Sequence, residues 1–284
     1  MNETPFKGWI ALDIDGTITL DKYTIPKEVV DYLRAKTKEG WRIAMATGRP
    51  FVFASIALSE YDFPYLFLIQ NGSLALEMPG KKELLRRYIP TAHLRKIESC
   101  LEGISGDMLV YGGYEKGDCV YFRPKRFDEE QINYLTAYWE RQKETPVPLD
   151  AFAHIEQTSV PLVKCFGRGQ EMRRVAERIK KHPEFNGTLL RDPFTEDYFI
   201  LLITDHLASK GQSLQAAIDQ VGATRGTIVA AGDDENDESL LKIADIAIAM
   251  DHAPKSLQQM ANLIAPPTKD LGIIHALRIA LGEK

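Results

Sequence analysis

The sequence predicts an α/β fold, a mostly parallel sheet flanked by helices, with an α+β segment inserted into it. Three observations carry that prediction. At both ends of the chain, short β-branched runs alternate with amphipathic stretches, the pattern of strands and helices laid around a parallel sheet. Polar and acidic clusters sit where several of the apolar runs stop, and in an open α/β sheet that end of a strand is where ligands bind. Between about Lys81 and Arg191 the alternation gives way to paired strand-like runs, a glycine cluster and scattered prolines.

The first strand is Trp9–Asp13. Pro26 pre-sets a helix over about Pro26–Glu39, where Val29, Val30 and Leu33 share one face and Gly40 supplies the stop. A strand at Trp41–Thr47, a helix at Phe51–Ser59 and a strand at Tyr65–Gln70 follow. In the middle, Met108–Tyr111 and Val120–Arg123 read as paired strands around Gly112, Gly113 and Gly117, then as a helix over Asp128–Gln142 with an acidic first turn. Pro146, Pro148 and Pro161 precede a strand at Val163–Phe166 and a helix at Glu171–Lys180. The alternation then resumes with strand Phe199–Thr204, helix Ser209–Gln220, strand Thr227–Ala231 and helix Asn236–Ile243. Strand Ile246–Met250, helix Pro254–Ala261, strand Leu263–Ile264 and a closing helix from about Lys269 complete it. The two ends are expected to share one sheet, so that residues 1–80 and 192–284 form the core and 81–191 the insert.

At 284 residues, 44% apolar and 26% charged, the chain is neither disordered nor fibrous and is long enough for one large domain or two ordinary ones. Its 35 basic against 40 acidic residues leave a formal charge of −5, without the excess that would hold nucleic acid or an anionic membrane. Met1 to Lys7 lacks the order of a secretion signal, and the apolar runs fall far short of the roughly 20 residues needed to span a bilayer. The three cysteines, Cys100, Cys119 and Cys165, form no Cys-x-x-Cys pair, which suits a reducing compartment and argues against a disulfide framework or a zinc site. Cytoplasmic residence is the expectation, with the oligomeric state open.

The strongest local signal is Asp13-Ile14-Asp15-Gly16-Thr17 at the end of the first strand. Carboxylates two residues apart on a strand point along the same side, and burying two like charges needs a compensating cation or proton. Mg²⁺ answers that need, because a hard ion takes oxygen ligands and borrows the rest from water or a substrate phosphate. Asp-Gly alone is also a common turn pair. A second cluster, Gly232-Asp233-Asp234-Glu235-Asn236-Asp237, follows another strongly apolar strand. Helix capping accounts for some of its acids. A metal site assembled from two strand ends accounts for both clusters, with Asp13 and Asp233 as the carboxylate ligands. Thr47-Gly48-Arg49 ends a third strand with a hydroxyl and free backbone N–H groups suited to a phosphate, although a plain polar turn would look the same. Lys210 stands at the start of a helix, where the dipole disfavours a cation unless an anion is held there too.

In this order, Asp13-x-Asp15-Gly16-Thr17, Thr47, Lys210 and Gly232-Asp233-x-x-Asn236-Asp237 resemble the four motifs of the haloacid dehalogenase-like hydrolase superfamily. The long insertion between the second and third motifs, with Asn71-Gly72, is similar to its Cof-like phosphatase branch. The resemblance covers essentially the whole chain and implies a Rossmann-like core with an inserted α+β cap over the active site.

It further implies that Asp13 is the nucleophile, forming an aspartyl-phosphate, and that Asp15 protonates the leaving alcohol and then activates water. Asp13, the backbone carbonyl of Asp15 and Asp233 would hold Mg²⁺, with Asn236 and Asp237 as outer partners. Thr47, Gly48, Asn71 and Lys210 would contact the phosphate of a small phosphorylated metabolite, such as a sugar phosphate or phosphorylated cofactor. Relatives with this cap include phosphomutases as well as phosphatases, and a non-catalytic phosphometabolite-binding protein on the same scaffold is a third reading. The chain departs from many relatives at Asp251-His252, where they carry Gly-Asn; a lone loop histidine there reads as solvated.

Overall fold

A computed structural model describes residues 4–21, 23–192, 195, 197–222 and 224–283. It divides into two compact units. The first takes in the chain up to Arg49, Ala54–Arg86 and Ser209 onward; the second takes in Pro50–Phe53 and Arg87–Ala208. Among the described residues, no helix is long and apolar enough to cross a membrane.

The first unit is built on an eight-stranded sheet in the order Leu263–Ala265, Ile246–Met250, Thr227–Gly232, Gly8–Asp13, Trp41–Ala46, Tyr65–Ile69, Leu74–Met78 and Lys82–Arg86. The first six strands run parallel, and the last two add an antiparallel hairpin. All six residues of Gly8–Asp13 are buried, as a strand covered by helices on both faces must be. One face packs Trp9, Ala11, Ala44, Leu66 and Leu68 against Leu214, Ala217 and Ile218 of helix Lys210–Gln220. From Gly8–Asp13 the chain moves one way through Trp41–Ala46 to Tyr65–Ile69 and later returns on the other side with Thr227–Gly232. This reversal of strand order leaves a crevice at the carboxyl ends of Gly8–Asp13 and Thr227–Gly232. The Leu12↔Ala231 register brings Asp13 and Asp233 out side by side there.

The second unit holds a six-stranded sheet in the order Phe185–Arg191, Tyr198–Asp205, Val163–Arg168, Met108–Tyr111, Cys119–Phe122 and Thr145–Pro148. Helices Leu94–Cys100 and Gly169–Ile179 cover one face, and helix Glu129–Gln142, capped at Asp128 by a reciprocal Asp128–Gln131 capping box, covers the other. The three cysteines are free and buried.

The run Phe199–Thr204, expected in the first sheet, belongs to the second. It is part of Tyr198–Asp205, which pairs antiparallel with Val163–Arg168 on one side and Phe185–Arg191 on the other. Ile200 and Leu202 face one apolar cluster while Leu201 and Ile203 face the other. An apolar run buried on both faces suits the centre of either sheet, and periodicity does not say which. The hairpin Leu74–Met78 and Lys82–Arg86 was not foreseen, because its second strand, Lys-Glu-Leu-Leu-Arg, is short and half polar.

Candidate active site

Asp13 ends the first strand with its side chain buried. Its Oδ1 accepts a hydrogen bond from Lys210 Nζ at 2.6 Å, and its Oδ2 is buried with no partner among the described residues. Burial pushes its carboxyl well above the usual aspartate range, Lys210 opposes that, and Asp237, Asp233 and Asp15 add to it.

Lys210 is the first residue of helix Lys210–Gln220, after Ser209, whose side chain accepts from Gln212 N at 3.3 Å. It is 1% exposed, and its Nζ donates at 2.6 Å to Asp237 Oδ1 as well as to Asp13. Burial works against the charge on this lysine, but the two carboxylates outweigh it and hold the ammonium well above the ordinary lysine value.

Asp237 is fully buried, and both its oxygens are used: Oδ1 meets Lys210, while Oδ2 accepts from the backbone N–H groups of Asp233 at 3.0 Å and Asp234 at 3.2 Å. Burial raises its pKa, against the pull of Lys210. The turn it braces needs glycine at 232, since a Cβ there would lie 2.4 Å from Asp237 Cβ and Cγ. Asp233, displayed by this turn, accepts from Thr17 Oγ1 at 3.2 Å, and its Oδ2 lies 3.3 Å from His252 Nε2. Glycine is also required at 16, which has φ +71 and whose Cβ would fall 2.2 Å from Asp233 Oδ2. Carboxylate oxygens of Asp13, Asp233 and Asp237 all lie within 4.8 Å of one another.

The Asp15 side chain does not join this cluster. Half exposed, it takes a two-pronged pair from Arg49, with Arg49 Nε donating to Oδ2 at 2.7 Å and Nη2 to Oδ1 at 2.5 Å. Arg49 is positioned by its turn: Thr47 Oγ1 accepts its N–H at 3.0 Å, and its carbonyl accepts from Gln70 N at 3.0 Å. Asn71 N donates to the Thr47 carbonyl at 2.9 Å, so the turn after one strand is stitched to the turn after the next. Asn71 takes φ 59, a conformation asparagine tolerates, and its buried Oδ1 has no partner among the described residues. Gly48 lies beside Asn236, whose Nδ2 would stand 3.5 Å from a Cβ at that position.

The structure thus gathers Asp13, Lys210 and Asp237, all buried, with the partly exposed Asp233 in one cluster, with the Thr47, Gly48 and Asn71 turns laced together and Asn236 beside Gly48. Sequence reasoning did not foresee Arg49 as the partner of Asp15. The available signal was a basic residue at a strand end beside an acidic motif. Nor did it foresee His252 against Asp233; the ring is 48% exposed, and its hydrogen bond with Asp233 raises its pKa above the usual histidine value.

A sequence profile of the haloacid dehalogenase-like hydrolases matches residues 10–277. The phosphoglycolate phosphatase of Methanothermobacter thermautotrophicus is 24% identical over 276 residues, covering 96% of this chain and 98% of its own. The 5-amino-6-(5-phospho-D-ribitylamino)uracil phosphatase YitU of Bacillus subtilis is 22% identical over 277 residues, covering 95% and 96%. The crystal structure of a haloacid dehalogenase-like hydrolase from Bacteroides thetaiotaomicron shares the fold with a TM-score of 0.76 at 22% identity, over 96% of this chain and 99% of that one. With this match over nearly its whole length, the chain, a mostly parallel sheet carrying an inserted α+β unit, belongs to the haloacid dehalogenase-like hydrolases.

Proposed function

We propose that the protein is a Mg²⁺-dependent phosphatase that hydrolyses small phosphomonoesters, sugar phosphates or phosphorylated cofactors, through an aspartyl-phosphate on Asp13. The observation that carries this reading is the Asp13 carboxylate itself, buried, held at Oδ1 by Lys210 and unpartnered at Oδ2. The two relatives described above are named for small organic phosphates, which supports the substrate class.

The donor set fits a hard divalent ion. Three carboxylates stand together with one ammonium, and burial disfavours the charged form of Asp13 and Asp237, so a bound cation is what would let all three be ionised at once. Asp13, Asp233 and the backbone carbonyl of Asp15 would hold Mg²⁺, with Asp237 and Asn236 supporting from outside. Asp237 suits that outer place because both its oxygens are already engaged. When bound, the ion would neutralise charge that otherwise keeps an anionic nucleophile from an anionic phosphate.

In the first step Asp13 attacks phosphorus, its O–P bond forming as the ester P–O bond breaks, and Asp15 delivers a proton to the departing alkoxide. In the second, Asp15 takes a proton from water, which attacks phosphorus and releases inorganic phosphate and free Asp13. Arg49 aims Asp15 through its two-pronged pair. The Thr47 hydroxyl, the Gly48 amide, Asn71 and Lys210 hold the phosphoryl oxygens as charge redistributes. The second unit, mainly Arg87–Ala208 rather than the expected 81–191, acts as the cap that selects the alcohol, and the setting is cytoplasmic.

The test is a panel of sugar phosphates and cofactor phosphates turned over in labelled-oxygen water with Mg²⁺, for wild type and Asp13→Asn. Label in the released phosphate, abolished by Asp13→Asn and by chelation, is the expected result. Isomerised sugar phosphate with no label in phosphate would replace the phosphatase by a mutase, and equal inactivity of both proteins across the panel would favour binding without catalysis.

A further inference from the structure

The turn after strand Ile246–Met250 stands beside the turn that displays Asp233. Gly232 pairs with Ala249 in the sheet, so the two parallel strands end almost level and both turns emerge at their carboxyl ends. His252 lies in the first of these turns; its Nε2 stands 3.3 Å from Asp233 Oδ2 and its Nδ1 3.3 Å from Asp251 Oδ1. Nothing in the phosphoryl-transfer steps proposed above uses this histidine.

Its ring is half exposed, and on a loose loop it would drift into water. The turn that carries it is tied down on both sides. Asp251 N donates to the Ala265 carbonyl at 3.0 Å, and Ala253 N donates to the Met250 carbonyl at 3.1 Å. From helix Lys255–Met260, Gln258 Nε2 donates to the carbonyls of Asp251 at 2.7 Å and Ala253 at 3.0 Å. The Ala253 side chain packs into the apolar core of the first unit. The backbone on either side of His252 is therefore fixed.

Asp233 has a use for such a neighbour. Its carboxylate oxygen lies within 4.8 Å of those of Asp13 and Asp237, and repulsion among like charges favours an outward swing of this partly exposed side chain. Two contacts oppose that swing: Thr17 Oγ1 donates to Oδ1 at 3.2 Å, and His252 Nε2 meets Oδ2. A carboxylate oxygen has two lone pairs, and each of these contacts takes one, so both oxygens keep a lone pair for a metal ion. Hydrogen-bond partners of a ligating carboxylate set its orientation, and losing one typically costs about 10–100-fold in metal affinity.

We propose that His252 is a positioning residue for Asp233, its Nε2–H holding the carboxylate in the orientation that receives the divalent ion. Asp251 steadies the ring and Gln258 the turn beneath it. This role rests on the Mg²⁺ site proposed above and deepens it, since it names what keeps a partly exposed ligand in place before the metal arrives. His252 acts through Asp233 alone, so its effect falls on metal affinity.

The experiment reads the metal alone, without substrate. Mn²⁺, which suits the same oxygen ligands, is titrated into the full chain and its free fraction followed by electron paramagnetic resonance, with Mg²⁺ then added as competitor. His252→Ala is expected to weaken binding of both ions by at least about tenfold. His252→Gln, whose side-chain amide supplies an N–H at similar reach, is expected to recover most of that loss. Urea unfolding in EDTA separates positioning from folding, and both variants are expected to keep the wild-type midpoint. The proposal is overturned if His252→Ala binds the ions within about threefold of wild type or more tightly, if His252→Gln is as weak as His252→Ala, or if the loss of affinity comes with a lowered midpoint. A wild type that binds neither ion would remove the metal site itself and His252's role with it, whereas equal binding by wild type and His252→Ala would remove that role alone.

Discussion

Lys210 Nζ stands 2.6 Å from both Asp13 Oδ1 and Asp237 Oδ1, so one buried ammonium ties the end of the first strand to the turn that displays Asp233. Its partners are therefore inside the protein whether or not substrate is bound. Removing one member of a buried ion pair leaves the others uncompensated, at a cost of about 3–5 kcal/mol. Lys210→Met is expected to lose activity by at least about a hundredfold and also to lower stability by that order, measured by steady-state turnover and urea denaturation. An unchanged unfolding midpoint would mean that the lysine serves the substrate alone.

Arg49→Lys keeps a positive charge but loses the planar fork that grips both Asp15 oxygens. Because Asp15 is assigned to protonating the leaving group, kcat should fall more for alkyl phosphates than for p-nitrophenyl phosphate, whose leaving group needs little protonation, with KM changing less. An equal loss on both substrates would detach Arg49 from that role.

Gly16→Ala should displace Asp233, since the new Cβ would begin 2.2 Å from Asp233 Oδ2 at a φ of +71. The expected outcome is a rise in the Mg²⁺ concentration needed for half-maximal turnover, with a stability loss of about 1–3 kcal/mol from the strained backbone. Metal titration of activity would show this, and an unchanged metal requirement would contradict it.

In the second unit, Asp118 is buried at φ 53, with its Oδ2 accepting the Val52 N–H at 2.6 Å and its Oδ1 unpartnered among the described residues. Burial raises its pKa from 3.8 to about 6, helped by Glu144 and Glu115. The folded state thus holds this proton more tightly than the unfolded chain, so stability falls as pH rises from about 4 to about 6 and for this group stays flat above. Asp118→Asn keeps an acceptor for Val52 and a residue type suited to positive φ. It should stabilise the protein at pH 7.5 by up to about 3 kcal/mol and progressively less toward pH 4. Urea denaturation of both proteins across that range checks the slope, and a pH-independent difference would contradict it.

Much of the first sheet and the meeting of Asp13 with Asp233 were legible, because each acid directly follows an apolar strand and such strand ends converge where strand order reverses. What escaped was decided by tertiary contact. Lys210 could be placed on a first helical turn, but nothing local marks Asp237, 27 residues later, as its partner. Arg49 read as part of a polar turn because its partner Asp15 is 34 residues away. Tyr198–Asp205 changed sheet because its two apolar faces fit either.

The central claim is that Asp13 carries the phosphoryl group. Acid quenching during Mg²⁺-supported turnover, followed by borohydride reduction and mass spectrometry, converts an acyl-phosphate to homoserine at the residue that held it. The account predicts homoserine at position 13, absent in Asp13→Asn and without substrate. Turnover by Asp13→Asn near the wild-type rate, or homoserine at another carboxylate, would contradict it.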